Sequence, residues 1–498
     1  MLKPLDKSRW SLGTAAHLLN RAGFGGTPAA IKKLADLGLD KAVSSLVDYE
    51  YITDSTPAPA WAKPDPEEVQ KRREAARDAT PEERKKLQQE EQRLQGQHML
   101  ELRQWWLNRM ARGPRPFQEK MVLFWHGHFA TSIEKVRQVP NAAYLMWRQN
   151  ELFRRLATDN WERLLLESGK DPAMLVWLDQ AQSRKEHPNE NYAREVMELF
   201  SLGEGHYTEK DITEAARALT GWSYDRLNQK YVYRPAFHDD GTKTFLGRTG
   251  DLNGDDVIAQ IVAQPQAARF ITAKLWNYFA GQYPSEELNN ALAVVLHESG
   301  NYFKFMLRVM FRSEEFYAHD IVRNQVKSPV QWLVGTVRVL ECDLPPAPAS
   351  WGITRGLGQD LFAPPNVKGW DGGMTWISTN SLLMRYNLAQ AVVQGNYRMF
   401  GGGDLARKPG GQGGGPLMRE LQNAAPSPVD VEKIFTPDER SSQDQLVAAL
   451  EHRLLQSSLK GDQEKALRDF LASKTNLSDD DVRTAIRLVM ATPQYQVT

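Results

Sequence analysis

The chain has 498 residues, of which 41% are hydrophobic and 25% charged, an ordinary globular composition whose length allows roughly three domains or one elaborated one. Lys and Arg together number 62, and so do Asp and Glu; this balance argues against a dedicated nucleic-acid binder, which draws its affinity from a basic excess. The single cysteine, Cys342, excludes an intrachain disulfide and any metal site built from several cysteines. No apolar run reaches the ~18 residues of a membrane span, and no apolar h-region follows the basic N-terminus, so the sequence alone shows no signal peptide and reads as cytoplasmic.

In chain order, Ser11 to Asn20 carries Leu12, Ala15, Ala16 and Leu19 on one helical stripe, closed by Gly23, Gly25 and Gly26. Four prolines make 55–66 an extended linker. Residues 67–96 are dense in Glu, Lys, Arg and Gln. Thr80-Pro81-Glu82-Glu83 starts a helix there, with Thr as N-cap and acids against the positive dipole end. The spacing predicts helices over 67–79 and 81–111, the charged part forming a solvated arm. Residues 116–125 and 140–182 read as buried helices, and 189–201 and 209–221 as two more. Lys230–Arg234 and 237–249 then predict one small hairpin turning at Asp240-Gly241. Helices resume from Asp255 through Leu340. The fold class is therefore mainly α: a main helical domain over 1–398 bearing the arm at 67–96, a Gly/Pro-rich linker or loop over 399–440, and a small helical C-terminal segment over 441–498. Val489-Met490 before Pro493-Gln-Tyr495 echoes Val309-Met310 before Glu314-Glu-Phe316 as a short repeat of a helix ending.

Three segments carry groups capable of chemistry. In FWHGHFATS (124–132), His126 and His128 would lie ~200° apart on a continuous helix and could not share a ligand. If Gly127 ends the helix, they return to one face and suit a metal; otherwise one caps the helix and the other packs in the core. In HPNENYAREVMELFSLGEGH (187–206), Tyr192, Val196, Leu199 and Phe200 form the apolar face. Asn191, Arg194, Glu195 and Glu198 share a polar arc, which is either a prearranged pocket of paired carboxylates or a solvated face joined by an Arg194–Glu198 ion pair. In FHDDGTKTFLG (237–247), His238, Asp239 and Lys243 are either acid–base groups or turn chemistry. GDLNGDDV (250–257) fails the calcium-loop pattern at Asp256 and Val262 and reads instead as a helix start. FAPPNVKGWDGGMTWIST (362–379) is a Pro/Gly loop, lining a cleft or pinned by Trp370 and Trp376. No phosphate-binding loop, dinucleotide fingerprint or GxSxG elbow is present.

The segments HLLNRAGFG (17–25), WHGHF (125–129), NENYAREVMELFSLGEGHYTEKD (189–211), AARALTGW (215–222), HDDGTKTFLG (238–247), VKSP (326–329) and PPNVKGW (364–370) together resemble the bacterial family named domain of unknown function 1800. The resemblance spans nearly the whole chain. It implies no established activity. It implies frequent export, and genes that neighbour those of domain of unknown function 1501, a family that looks related to alkaline phosphatases and sulfatases. The chain departs from that pattern in lacking a visible signal sequence and in carrying the charged arm.

From the residues, the expected function is a metal-assisted hydrolase or oxidase. Glu195, Arg194, Asn191, Asp239 and Lys243 are its catalytic candidates. His126, His128, Glu198 and His238 are candidate ligands for zinc, iron or manganese. The alternative is a noncatalytic binding or assembly protein acting with a partner from the neighbouring gene, a domain of unknown function 1501 protein. Clustering of the histidines and glutamates around one cleft favours the first; a scattered set, each group paired locally, favours the second.

Overall fold

The computed structural model describes residues 2–63, 65–400 and 421–498. The glycine-rich stretch central to the expected 399–440 linker lies outside the described residues. Helices dominate, and many start where a side chain offers an oxygen to free backbone N–H groups. Ser11 caps Leu12–Ala22, Thr80 and Glu83 form a capping box on Pro81–Arg112, and Thr208 with Asp211 does the same for Glu209–Ala218. Asn253 accepts from Asp255 and Asp256 N–H, so the calcium-like loop is a helix start.

The charged arm is helical as its caps require. Pro66–Asp78 and Pro81–Arg112 are joined by an Arg72–Glu91 ion pair. Val69 is the only buried residue of the first helix. The second helix dives into the core from Met99 onward, burying Leu102, Trp106, Leu107 and Met110.

The expected single hairpin is two. Strand β1 (Trp222–Asp225) pairs with β2 (Lys230–Tyr233), and β3 (Lys243–Phe245) pairs with β4 (Arg248–Gly250), both antiparallel. The second turn is Leu246-Gly247, both at positive φ (44° and 83°), the geometry a tight two-residue hairpin needs. Asp240-Gly241 does not make the hairpin turn. Asp239 there accepts the Gly241 N–H at 2.8 Å, an Asx turn that bends the connection between the two sheets.

One hydrophobic core runs from Leu5 to Tyr495. Helices of the 441–498 segment pack into it: Tyr495 meets Trp332 edge-on and shares a 2.7 Å hydrogen bond with Thr336, while Val326 bridges Val497. The echoed helix endings are real in form. Phe303–Arg312 and Asp479–Met490 are each followed by a short 3-10 turn that buries an aromatic ring, Phe316 in one and Tyr495 in the other.

Candidate functional site

The helix Pro116–His128 is held in the core by Glu119. This buried carboxylate accepts from Trp106 Nε1 (2.9 Å), Arg109 Nε (2.9 Å) and Arg154 Nε and NH2 (2.7 and 2.8 Å). Burial alone would raise its pKa, but the two guanidiniums outweigh that and hold it below the ordinary glutamate range.

That helix continues through His128 and is capped by Phe129, which corrects the expectation that Gly127 ends it. His126 and His128 therefore stand on different sides, as 100° per residue dictates. His126 Nε2 meets Asn150 Nδ2 at 3.0 Å, with the ring among Trp106, Phe153 and Phe362. His128 Nε2 meets the Phe200 carbonyl at 2.9 Å, so that nitrogen carries the proton, and its Nδ1 is buried with no partner among the described residues. Burial, reinforced by nearby Arg154 for one and Lys274 for the other, lowers both rings, His126 to about 3 and His128 well below the usual histidine value. Both are neutral core groups at pH 7.

Within the continuous helix, Gly127 serves as a packing surface. The PPNVKGW loop lies directly on it: a Cβ at Gly369 would fall 2.1 Å from the Gly127 carbonyl oxygen, and one at Gly127 would touch the Trp370 ring at 3.6 Å. Of the two readings of this loop, pinning by tryptophan describes its packing. The Trp370 indole N–H is buried without a partner among the described residues.

His128 latches the end of the neighbouring helix, Glu190–Glu198. A helix leaves its last carbonyls unpaired, and three side chains answer those that follow it. Lys274 donates to Leu199 O (3.2 Å), His128 to Phe200 O, and Gln266 to Leu202 O (3.0 Å). Phe270 closes over Gly203, and Lys274 Nζ sits 5.1 Å above its ring. Burial brings the Lys274 amine down to about 8. Nothing in the spacing of the sequence pointed to Lys274 or Gln266, which lie on a later helix, Pro265–Ala280.

The latched helix presents the polar arc. Arg194 does not pair with Glu198; it forms a two-pronged ion pair with Glu209 at 2.9 and 2.8 Å, and Tyr207 Oη donates to Glu198 at 3.1 Å. Asn191 is exposed. The half-buried Glu195 carboxyl has no hydrogen-bond partner among the described residues. Burial first, then the neighbouring Glu198, raises its pKa above the ordinary range, partly offset by Arg194 and by Lys368 of the PPNVKGW loop.

The third segment, 237–247, engages a different helix, Glu209–Ala218, and the turn after it. Asp239 holds Arg217 through both oxygens (2.7 and 3.1 Å). His238 Nδ1 meets Thr220 O at 2.8 Å, and the buried Lys243 donates to Gly241 O at 3.0 Å, with Asp251 at 3.6 Å. Asp239 and His238 tie the hairpins to their helix and the turn after it, while Lys243 braces the connection between the two sheets. Among the described residues, no three His, Cys, Asp or Glu side chains come together as a metal site requires.

Residues 17–497 match the model of one family, described as a protein of unknown function, DUF1800. The chain belongs to the DUF1800 family. No curated protein and no solved structure matches it. Several of the segments that mark this DUF1800 chain meet one another. WHGHF and PPNVKGW meet at Gly127 and Gly369, NENYARE is latched by His128, and HDDGTK fastens the hairpins.

Proposed function

We propose that this DUF1800 protein acts by binding, its Glu195–Glu198 face serving as the docking point for a cationic side chain of a protein partner. One observation carries the reading. Nearly every other candidate group is tied to a local partner, whereas Glu195 keeps an unbonded, half-buried carboxyl on a helix whose end is fixed by three side chains. A cationic group there would relieve the repulsion between Glu195 and Glu198 and supply the missing partner. The domain of unknown function 1501 protein encoded beside such chains is the proposed partner. A metal-assisted hydrolase or oxidase has weaker support, because His126, His128 and His238 each spend a nitrogen on a separate local contact. A second reading rests on Glu195 itself: a raised carboxyl is suited to proton transfer.

Titration calorimetry of the full chain against the purified partner tests the proposal. Binding should weaken at least tenfold in Glu195→Gln with the melting temperature preserved. Absence of binding, or equal affinity of the variant, overturns it. Stoichiometric zinc, iron or manganese in purified protein, measured by elemental mass spectrometry, would restore the metal reading.

A further inference from the structure

A separate group of polar side chains meets where the helix Leu12–Ala22, the start of the helix Pro329–Val339 and residues 495–498 come together. They line a partly open cavity of about 40 Å³ whose wall includes Asn20, Lys327, Gln331, Gln456, Tyr495 and Thr498. A water needs roughly 10–15 Å³ on this measure, so the space suits a group of a few heavy atoms. None of these residues belongs to the Glu195 face.

The charge around the cavity is one-sided. Lys327 Nζ stands 3.9 Å above the Tyr495 ring and makes no hydrogen bond among the described residues. Arg385 donates to Lys327 O (2.8 Å) and Gln496 Oε1 (3.2 Å). Arg323 donates to the carbonyls of Leu455 and Gln494. Arg21, fully buried, donates to Phe279 O (2.8 Å), Ile321 O (2.7 Å), Asn324 Oδ1 (2.8 Å) and Thr498 O (2.8 Å). No aspartate or glutamate among the described residues pairs with any of the four. Even a carboxylate at Thr498 would answer Arg21 and leave Lys327, Arg323 and Arg385 without one. Cations held away from water without an acid are costly; here Lys327 lines the cavity, and the three arginines stand behind its wall, donating to the carbonyls of Thr498, Leu455 and Lys327. Gln331 adds a donor: its Oε1 takes the Ser328 N–H at 3.0 Å, which leaves its amide nitrogen unbonded on the same wall.

We propose that this cavity binds a small oxyanion, held by the Lys327 ammonium and the Gln331 amide nitrogen within the field of Arg323 and Arg385. The ligand class is a sulfate-like or phosphate-like tetrahedral anion or a small carboxylate. Burial, with the nearby positive charges of Arg323 and Arg385, brings the Lys327 amine down to about 7. An anion favours the protonated form, so binding takes up a proton and weakens as pH rises above about 7.

Sulfate is the first probe, because its charge is constant across the relevant pH range, and acetate is the planar alternative. Calorimetry of the full chain at constant ionic strength, set with potassium chloride, should show saturable binding of at least one of them. Binding should be at least fivefold weaker at pH 8.5 than at 6.5 and at least tenfold weaker in Lys327→Gln. The parent protein supplies a readout that needs no variant. Brief treatment with acetic anhydride, mapped by peptide mass spectrometry, should modify Lys327 at least fivefold more slowly with the saturating anion, while exposed Lys7 is unaffected. If neither anion binds saturably, or binding leaves Lys327 reactivity unchanged, the proposal fails.

Discussion

Gly369 and Gly127 pack backbone against backbone. With φ of +87° at Gly369 and its missing Cβ only 2.1 Å from the Gly127 carbonyl, no side chain fits on the loop. Gly369→Ala should therefore cost about 2–4 kcal/mol, combining left-handed strain with a clash against rigid backbone. Gly127→Ala should be neutral or stabilising by up to about 1 kcal/mol, because the residue is helical and its Cβ would only touch Trp370. Urea denaturation of both variants checks the contrast. Equal large losses would mean that Gly127, too, is held in a conformation alanine cannot adopt.

Glu119 is the buried acid that Arg109, Arg154 and the Trp106 indole share, with Asp54 a further partner of Arg109 and Glu151 of Arg154. Glu119→Gln leaves two buried guanidiniums without their shared carboxylate, and a loss of about 3–5 kcal/mol is expected. Its lowered pKa gives the pH dependence a definite sign. The stability it contributes is full above the ordinary glutamate range and is lost as pH falls through and below that range. The parent should lose this contribution on acidification between about pH 5 and pH 3, and the Glu119→Gln variant should not. Parallel denaturation curves for parent and variant across that window would show that Glu119 is not the group responsible.

Much of this architecture is legible in the sequence, for local reasons. Thr80-Pro81-Glu82-Glu83 and Thr208-Glu-Lys-Asp211 announce helix starts because a cap depends on residues three apart. The apolar face at Tyr192, Val196 and Phe200 follows from the helical period. The WHGH motif misled because a glycine between two histidines looks like a break. Gly127 answers instead to Gly369, from a loop far along the chain that no local pattern reveals. The Arg194–Glu198 spacing suggested an ion pair, yet Glu209 supplies a better-aimed carboxylate from the next helix. The cations around the Lys327 cavity come from three distant segments, at residues 21, 323–327 and 385, so their shared lack of an acid is visible only in three dimensions.

Three buried histidines predict acid sensitivity. Burial lowers His17 and His126 to about 3 and His128 well below its usual value. The folded state keeps them neutral, while the unfolded chain takes up protons near pH 6.5. Below that pH the unfolded chain binds more protons, and stability falls by up to about 1.4 kcal/mol per pH unit for each ring. Denaturation midpoints should drop between pH 7 and pH 5, before the carboxylates titrate. His126→Gln, which can still pair with Asn150, should reduce the slope by about one proton. A flat profile across pH 7–5 would mean that these rings are reached by water.

The arm is expected to be separable from the fold. Trp61 stacks on His98 at 4.6 Å, and Trp61 Nε1 donates to Glu101, so the arm's base closes below the Arg72–Glu91 pair. Gln95 belongs to the body, because its Oε1 accepts the Ala143 N–H at 2.9 Å. Replacing residues 67–94 by a short Gly/Ser bridge forfeits mainly the burial of Val69, about 1–2 kcal/mol, and should shift the melting temperature by only a few degrees. Insoluble expression of the deletion would show that the arm braces the core.

Lys120 offers the reverse case, a substitution expected to stabilise. Its amine is buried between the Phe24 ring at 5.1 Å and the Tyr278 ring at 5.6 Å, with no hydrogen-bond partner among the described residues. Burial first, and Arg21 second, pushes its pKa well below the ordinary lysine value. The folded state therefore prefers the neutral amine, whereas the unfolded chain holds a proton up to about pH 10.4. The proton is held less tightly in the fold than in the unfolded chain, so Lys120 opposes stability at pH 7, and the penalty fades as pH rises toward 10. Lys120→Met keeps the length and shape of the side chain and removes the unpaired donor. A gain of about 1–3 kcal/mol is expected at pH 7, shrinking at pH 9.5. Chemical denaturation at both values decides the point. A loss at pH 7 would mean that the amine is charged in the fold and answered by a group that only bound water or a ligand could supply.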